Sequence, residues 1–360
     1  MTGAQGMNDD PARFSIGLLI DTAAAPPGGP PLPRDTARAG IEQMIEEGVL
    51  AEDAGFEGVF VPEHHMRPET AMPDALVMLA ALAGRTQRIR LATSVLAPGY
   101  GWNPMHLAEA TAVIDQLSRG RLTLMLGQGN GDESFRMFGV DPKLRIPWLM
   151  ESVEIIRRAW TAREPFSHEG PLFKFDRVWL TPKPFQQDPH PPIWAAADTD
   201  KAVGRIASFA SGWCSAPFPV ARDDWRRRAA QYREAAKRNG IANPRVVLIR
   251  DGCVAETRAE AEKIWSQSFV PAWRSYFDAG VLKPPGSALR SREDLTFDTM
   301  RPWCVVGTPA DCIEALERSR DDWGCDTVIL RLRCGFGPSR EATARAIRLC
   351  GEQVLPHFNR

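Results

Sequence analysis

Residues 58–65 read GVFVPEHH. Val59, Phe60 and Val61 form a short apolar run, the pattern of a strand covered on both faces in a parallel sheet. Glu63, His64 and His65 follow directly, so three ionisable groups stand where that strand runs out. In parallel α/β sheets, ligands sit at the carboxyl ends of the strands. Taken alone, these eight residues fit a pair of surface histidines after a core strand equally well. The rest of the chain decides between the two.

Working outward, apolar runs alternate with helical patterns almost to the end. Strands are expected at 14–20, 89–96, 121–126, 193–197, 212–216, 246–254 and 327–333, besides the opening stretch. Between the first two strands lies a Pro- and Gly-rich loop, 23–33, that can be neither helix nor central strand. A helix is expected over 35–54, with Ile41, Met44, Ile45 and Val49 on one face and Gly55 as its stop. Further helices are expected at 74–84, from Pro104 through Leu117, and at 148–162, 199–209, 223–239, 258–278, 309–320 and 340–354. Two segments break the rhythm. Residues 163–191 alternate and turn like a small antiparallel excursion, and residues 280–305 are rich in Pro, Gly and Arg. The alternation predicts an α/β fold, a (β/α)8 TIM barrel with insertions at its C-terminal face. An open doubly wound sheet would need a GxGxxG turn after the first strand, which the Pro-rich loop does not supply. Residues 14–360 are then expected to be a single domain, preceded by a disordered tail at 1–13.

Composition narrows the function. The 360 residues are 44% hydrophobic and 25% charged, enough for a large core. Forty-four basic residues balance forty-five acidic ones with no basic stripe, which argues against nucleic acid or an anionic membrane as partner. No window approaches the roughly 18 apolar residues of a membrane span, and residues 1–13 lack the apolar core of a secretory signal. The seven cysteines are irregularly spaced without a CxxC pair. They read as buried reduced thiols in a cytoplasmic protein.

In a barrel, the loops after the strands share one face. That face would collect His64, His65, Ser94, Val95, Gln128 to Gly131, Asp198 and Thr199. Neighbouring residues on a strand point to opposite faces, so one metal ion would hardly take both histidines, and no metal site is expected. A proton-handling or hydrogen-bonding role suits a histidine, whose ordinary pKa lies near working pH. GQGNG, 127–131, lets a ligand approach the backbone closely, or is a tight turn. AAADTDK, 195–201, puts Asp198 or Thr199 at a helix start, which either receives a phosphate or is an ordinary N-cap. Trp102, Trp148, Trp194, Trp213 and Trp303 fall near strand ends and wall a pocket or pack under the insertions.

Several segments together carry a resemblance. AEDAGFEGVFVPEHH (51–65), LAALAGRTQRIRLATSVLAP (79–98), NPMHLAEATAVIDQLSRGRLTLMLGQGN (103–130), PHPPIWAAA (189–197), VGTPADCIEAL (306–316) and VLPHF (354–358) run in family order over nearly the whole chain. They resemble the bacterial luciferase-like family of flavin-dependent monooxygenases. The resemblance implies reduced FMN on the carboxyl-end face, supplied by a separate flavin reductase, with O2 and a largely apolar organic substrate, in a homodimer. His64 matches the catalytic histidine of the luciferase α chain, and His65 a pocket histidine of deazaflavin-dependent relatives. Glu63, His65, Ser94, Val95, Gln128, Gly129, Asn130, Ala197, Asp198 and Thr199 match the cofactor surroundings, Asp198 through its backbone. A non-proline cis peptide is implied at Ser94–Val95. The Pro-rich loop and the 280–305 insertion are candidate lids. Gln128 stands where the luciferase α chain has a phosphate-binding arginine, so that cation is missing or comes from elsewhere. Asn130 stands where deazaflavin-dependent sugar-phosphate dehydrogenases have a glutamate. Two other readings are a dehydrogenase or reductase that uses a deazaflavin coenzyme without O2, and a non-catalytic flavin-binding subunit.

Overall fold

Eight parallel strands close into a barrel around a plug of inward side chains. The computed structural model describes residues 13–215, 219–280, 282 and 289–359. The 1–13 tail (apart from Arg13), Ala216 at the end of the sixth expected strand and part of the 280–305 insertion lie outside the described residues. The strands are β1 (Ser15–Leu19), β2 (Gly58–Val61), β3 (Arg90–Thr93), β4 (Leu122–Leu126), β5 (Ile193–Ala196), β6 (Gly212–Cys214), β7 (Arg245–Val254) and β8 (Thr327–Arg331). Each pairs in parallel with the next, and β8 returns to β1 with Thr327 opposite Ser15.

Alternate residues explain why the strands read as unbroken apolar runs. Leu19, Phe60, Ala92, Met125, Cys214, Val247, Ile249 and Ile329 fill the lumen, with Val95 and Trp194 against them. Their neighbours Leu18, Val59, Val61, Leu91, Leu124, Leu126, Leu248 and Leu330 face the helix layer. Both faces are therefore dry, as the β2 pattern requires.

The first helices follow their sequence signals. Helix α1 (Arg34–Ala54) ends at Gly55, which takes φ 88°. The Asp74 carboxylate caps α2 (Ala75–Ala83), and the Asn103 side chain caps α3 (Pro104–Ser118). Helix α4 is Arg145–Thr161, α5 Asp200–Ile206 and α6 Arg222–Arg238. The excursion after α4 is the expected hairpin, Phe166–Glu169 with Lys174–Val178. Buried Glu151 staples it to α4 by accepting from Leu172 N and Phe173 N at 3.0 and 2.9 Å and meeting His168 Nε2 at 3.1 Å.

The structure departs from expectation between β7 and β8. Helix α7 (Arg258–Asp278) is not the helix that returns the chain to the barrel. It belongs to an enlarged insertion with a separate apolar cluster, which includes Trp265, Phe269, Trp273, Leu295 and Met300. The insertion ends in an unforeseen strand, Cys304–Gly307, parallel to the last part of β7 with Cys304 opposite Asp251. Its first two residues fall inside the irregular stretch expected at 280–305, and Val306 and Gly307 lie between that stretch and the expected helix. Helix α8 (Pro309–Asp321) then makes the return, opened by a capping box between Thr308 and Asp311. The last helix also differs. Helix α9 (Arg340–Leu349) widens to a π-turn over Cys350–Val354 before a final turn, Leu355–Phe358. Gly351 there lies against the end of α1, where a Cβ would come 2.6 Å from the Ala54 carbonyl.

The amino ends of the strands are tied by half-buried polar groups. Arg121 donates to the carbonyls of Ala83, Thr86 and Ile89 and to the Thr86 hydroxyl. Glu52 accepts from the N–H groups of Gln87, Arg88 and Ile89. Burial alone would raise the Glu52 carboxyl, but those donors hold it below its ordinary value. Arg245 bridges Ser15, Asp326 and Thr327. All seven cysteines are buried and unpaired. Among the described residues, no helix is long and apolar enough to cross a membrane.

Candidate active site

Glu63 opens the site by tying two loops together. Its Oε2 accepts from Ala97 N at 2.8 Å and its Oε1 from Trp102 Nε1 at 2.9 Å. The carboxylate is buried, so it fixes the end of β2 to the turn after β3. His65 Nε2 lies 3.0 Å from Glu63 Oε1, but off the ring N–H direction, which leaves that nitrogen without a directed hydrogen bond. The His65 ring stands edge-on to Tyr100 and Phe138, with centroids 5.5 and 4.9 Å away.

His64 turns to the other side, as adjacent strand-end residues should. Its Nδ1 is 2.9 Å from Thr22 Oγ1, in the loop after β1. Part of the residue's surface remains open, yet protein surrounds the ring closely. Burial first, and the nearby Arg67 guanidinium second, bring its pKa down to about 3, with Asp21 pulling the other way. Local burial dominates because the cations and carboxylates around the ring partly cancel. The expectation of a group poised near neutral pH is therefore corrected. His64 is an uncharged imidazole, held at Nδ1.

The Ser94–Val95 peptide after β3 is cis. Ser94 N donates to Val61 O at 2.7 Å, and Val95 packs down onto the lumen residues. The Ser94 hydroxyl is buried with no hydrogen-bond partner in the protein. Orphaned hydroxyls of that kind are uncommon in folded proteins and mark places where something else bonds. Gly127 lies over Val95, where a Cβ would come 2.5 Å from Val95 Cγ2.

At the end of β4, Gln128 and Asn130 are exposed. Tyr100 clamps the turn: its hydroxyl donates to Asn130 O at 2.6 Å and accepts from Asn130 N at 2.9 Å. Gly129 sits at φ 75° with a Cβ position 2.8 Å from the Tyr100 ring, so no larger residue fits. GQGNG is thus a tight turn whose first two glycines make room for Val95, Tyr100 and Phe135. Past β5, Ala197 is buried, with its N–H on Cys214 O and its carbonyl receiving Trp213 Nε1. Asp198 is half-buried near Cys214, whose thiol is pushed up by burial and by that carboxylate. Thr199 takes the N-cap of α5, its hydroxyl accepting from Ala202 N at 3.3 Å. Of the five tryptophans singled out, Trp102 and Trp213 are committed to these internal bonds. Trp148 donates to Trp102 O, Trp303 donates to Val220 O, and Trp194 packs on the lumen.

The opposite side of the mouth holds residues that sequence reasoning missed. Arg331, at the end of β8, grips Asp251 of β7 through Nε–Oδ1 at 2.6 Å and Nη2–Oδ2 at 3.0 Å, with Asp21 Oδ2 at 3.7 Å. Trp273 Nε1 donates to Asp251 Oδ2 at 2.7 Å, and Arg331 Nη1 to the Tyr276 hydroxyl at 3.3 Å. This cluster docks the α7 insertion on the barrel. Arg333 donates to Glu47 and to the carbonyls of Asp21 and Ala23, and Ala24 N donates to Glu69 O. The start of the Pro-rich loop is therefore pinned. The missed signal was charge inside strands: IRDG and ILRLR place arginines and an aspartate where only apolar residues are cheap to bury. Among the described residues, no three metal-ligating side chains gather.

The ends of β2, β3 and β4 thus bring a neutral imidazole, an orphaned hydroxyl and a glycine turn to the carboxyl end of a (β/α)8 barrel, the end on which barrel enzymes carry their sites. More particularly, the chain belongs to the luciferase-like monooxygenase family, whose profile matches residues 14–327, and it is an oxidoreductase. It is 23% identical over 338 residues to the oxygenase component of the flavin-dependent trigonelline monooxygenase of Acinetobacter baylyi, covering 91% of this chain and 92% of that one. A shorter match, 32% over 160 residues, covers 43% of this chain and 46% of the F420-dependent glucose-6-phosphate dehydrogenase of Amycolatopsis mediterranei. The solved structure of monooxygenase RslO1 from Streptomyces bottropensis has a TM-score of 0.82 at 26% identity, covering 96% of this chain and all of that one.

Proposed function

We propose that the chain is the oxygenase of a two-component flavin monooxygenase. It receives reduced FMN from a separate flavin reductase in the cytoplasm and uses O2 to oxidise a largely apolar organic substrate. The observation that carries this reading is the orphaned, buried Ser94 hydroxyl at the end of β3, in a barrel of this family.

Bound reduced flavin supplies the electrons that activate O2. Ser94, Val95 and the backbone of 127–130 would hold it, with Ala197, Asp198 and Thr199 beyond. Glu63 and His65 act at one remove, by fixing the loops on which the site stands. His64 offers Nε2 as an uncharged hydrogen-bonding group, and an anionic ligand beside it would raise its pKa toward the working range. Tyr100, Phe135 and Phe138 exclude water on the His65 side. Residues 14–360 act as one domain. Exposed Val77 of α2 and Val113 and Leu117 of α3, one turn apart, support a homodimer through that face.

An anaerobic titration with photoreduced FMN, followed by oxygen-uptake measurement, tests the reading. Tight binding and substrate-coupled O2 consumption are the expected results. The partial match to an F420-dependent dehydrogenase favours one competitor, a deazaflavin enzyme that passes hydride without O2. Binding of reduced deazaflavin but not of FMN, with no oxygen uptake, would establish that competitor. Flavin binding without any turnover would mark a non-catalytic subunit.

A further inference from the structure

The surroundings of His64 bear on which of its two nitrogens carries the proton. Thr22 lies in the loop after β1 and is fully buried. Its backbone is held on both sides. The Thr22 carbonyl accepts from Ala71 N at 2.9 Å, and Arg333 donates to the carbonyls of the flanking Asp21 and Ala23. Ala23 is tied again, through its N–H to Asp21 Oδ1 at 2.9 Å and through a bridge to Thr70. The Thr22 side chain therefore stands on a pinned loop, shut off from solvent. Its Oγ1 is 2.9 Å from His64 Nδ1, and that ring nitrogen is its one hydrogen-bond partner among the described residues.

Two arrangements give that contact. Either the threonine O–H donates to a bare Nδ1, or a protonated Nδ1 donates to the hydroxyl oxygen. The second leaves the O–H inside the protein without an acceptor. The first satisfies the hydroxyl and Nδ1 with one bond. An unmet buried donor is costly enough to favour the first by about tenfold or more. The ring is uncharged at neutral pH, so it has one N–H to place, and with Nδ1 accepting, that N–H is on Nε2. Part of the His64 surface stays open, and among the described residues Nε2 has no hydrogen-bond partner.

We propose that Thr22 is a positioning residue that fixes His64 as its Nε2–H tautomer, so that His64 faces the site as a hydrogen-bond donor and not as a proton acceptor. With Nδ1 occupied and Nε2 protonated, the ring has no lone pair to take a proton from a ligand. What it can hold is an acceptor atom, an oxygen or an anion. The tautomer is a property of the ligand-free chain. That the acceptor belongs to a ligand at this face rests on the proposed function.

Long-range proton–nitrogen correlation spectra of the nitrogen-15-labelled full chain, ligand-free and near neutral pH, provide the test. The His64 signals are assigned by their loss in His64→Gln. The expected spectrum shows a protonated Nε2 and a bare, hydrogen-bonded Nδ1. Thr22→Val removes the hydroxyl at nearly constant volume and should lower the ratio of the two tautomers by about tenfold, whereas Thr22→Ser keeps the hydroxyl and the ratio. A protonated Nδ1 in the natural chain would overturn the proposal, and that measurement needs no variant to fold. An unchanged ratio in folded Thr22→Val would overturn it too, because something other than Thr22 would then set the tautomer. Neither readout involves flavin, so failure of reduced FMN to bind would strike the proposed reaction and leave the tautomer result standing.

Discussion

The two ends of the barrel are built to different rules. At the amino end, Arg121, Glu52 and Arg245 each meet several partners. At the carboxyl end, the Ser94 hydroxyl has none, His65 Nε2 lacks a directed bond and His64 keeps one nitrogen uncommitted. A buried polar group with partners stabilises the fold, and one without them costs stability until a ligand arrives. On the proposed function, the contrast separates groups that hold the structure from groups a ligand would engage.

The sharpest way to break this division is to mutate one end and measure at the other. Arg121→Ala leaves the carbonyls of Ala83, Thr86, Ile89 and Ser118 without this donor and should cost about 3 kcal/mol in denaturant unfolding, with reduced-flavin affinity of the folded protein unchanged. A large loss of affinity at unchanged stability would erase the distinction. Next in size is a pH effect. The folded pKa of His64, about 3, lies below its ordinary 6.5. Between those values the unfolded chain binds a proton that the folded chain refuses, so His64 lowers stability as pH falls, by up to about 1.4 kcal/mol per pH unit. His64→Gln should flatten this part of the stability profile between pH 6 and 4, and an unchanged slope would show that the ring is not desolvated.

Smaller effects sharpen the contrast further. Ser94→Ala removes an unsatisfied hydroxyl and should stabilise the ligand-free protein by about 1 kcal/mol while weakening reduced-flavin binding. Opposite signs in the two assays are the signature of a waiting group; a destabilised ligand-free protein would place Ser94 with the structural residues. Thr199→Ala should cost about 1 kcal/mol, the usual value of an N-cap. If calorimetry instead finds intact stability and weaker flavin binding, the hydroxyl belongs to the phosphate and not to the helix.

Much of this was legible in the chain. The alternation of apolar runs with capped helices fixed the barrel because each strand must be dry on both faces. EHH and GQGNG stood at strand ends, where the structure places them, but neither motif alone told a site from surface histidines or a tight turn. The insertion was underestimated for a physical reason. Helix α7 carries an ordinary amphipathic pattern, and nothing in a pattern tells which surface it covers. Its anchor, Asp251 with Arg331, joins residues eighty positions apart, and a pairing at that separation leaves no local trace. The pKa of His64 was hidden likewise, because it depends on Arg67, Asp21 and the packing around the ring.

The layer formed by α7 and its following segment leaves the barrel at the end of β7 and rejoins it on the edge of the same strand, where Cys304 lies opposite Asp251. Entry and exit are therefore neighbours, and the layer has an apolar centre of its own. In engineering terms it is a cassette. The segment after β7 can be exchanged for another that meets Asp251 and Arg331 as Trp273 and Tyr276 do, while the residues at the ends of β2 to β5 stay as they are.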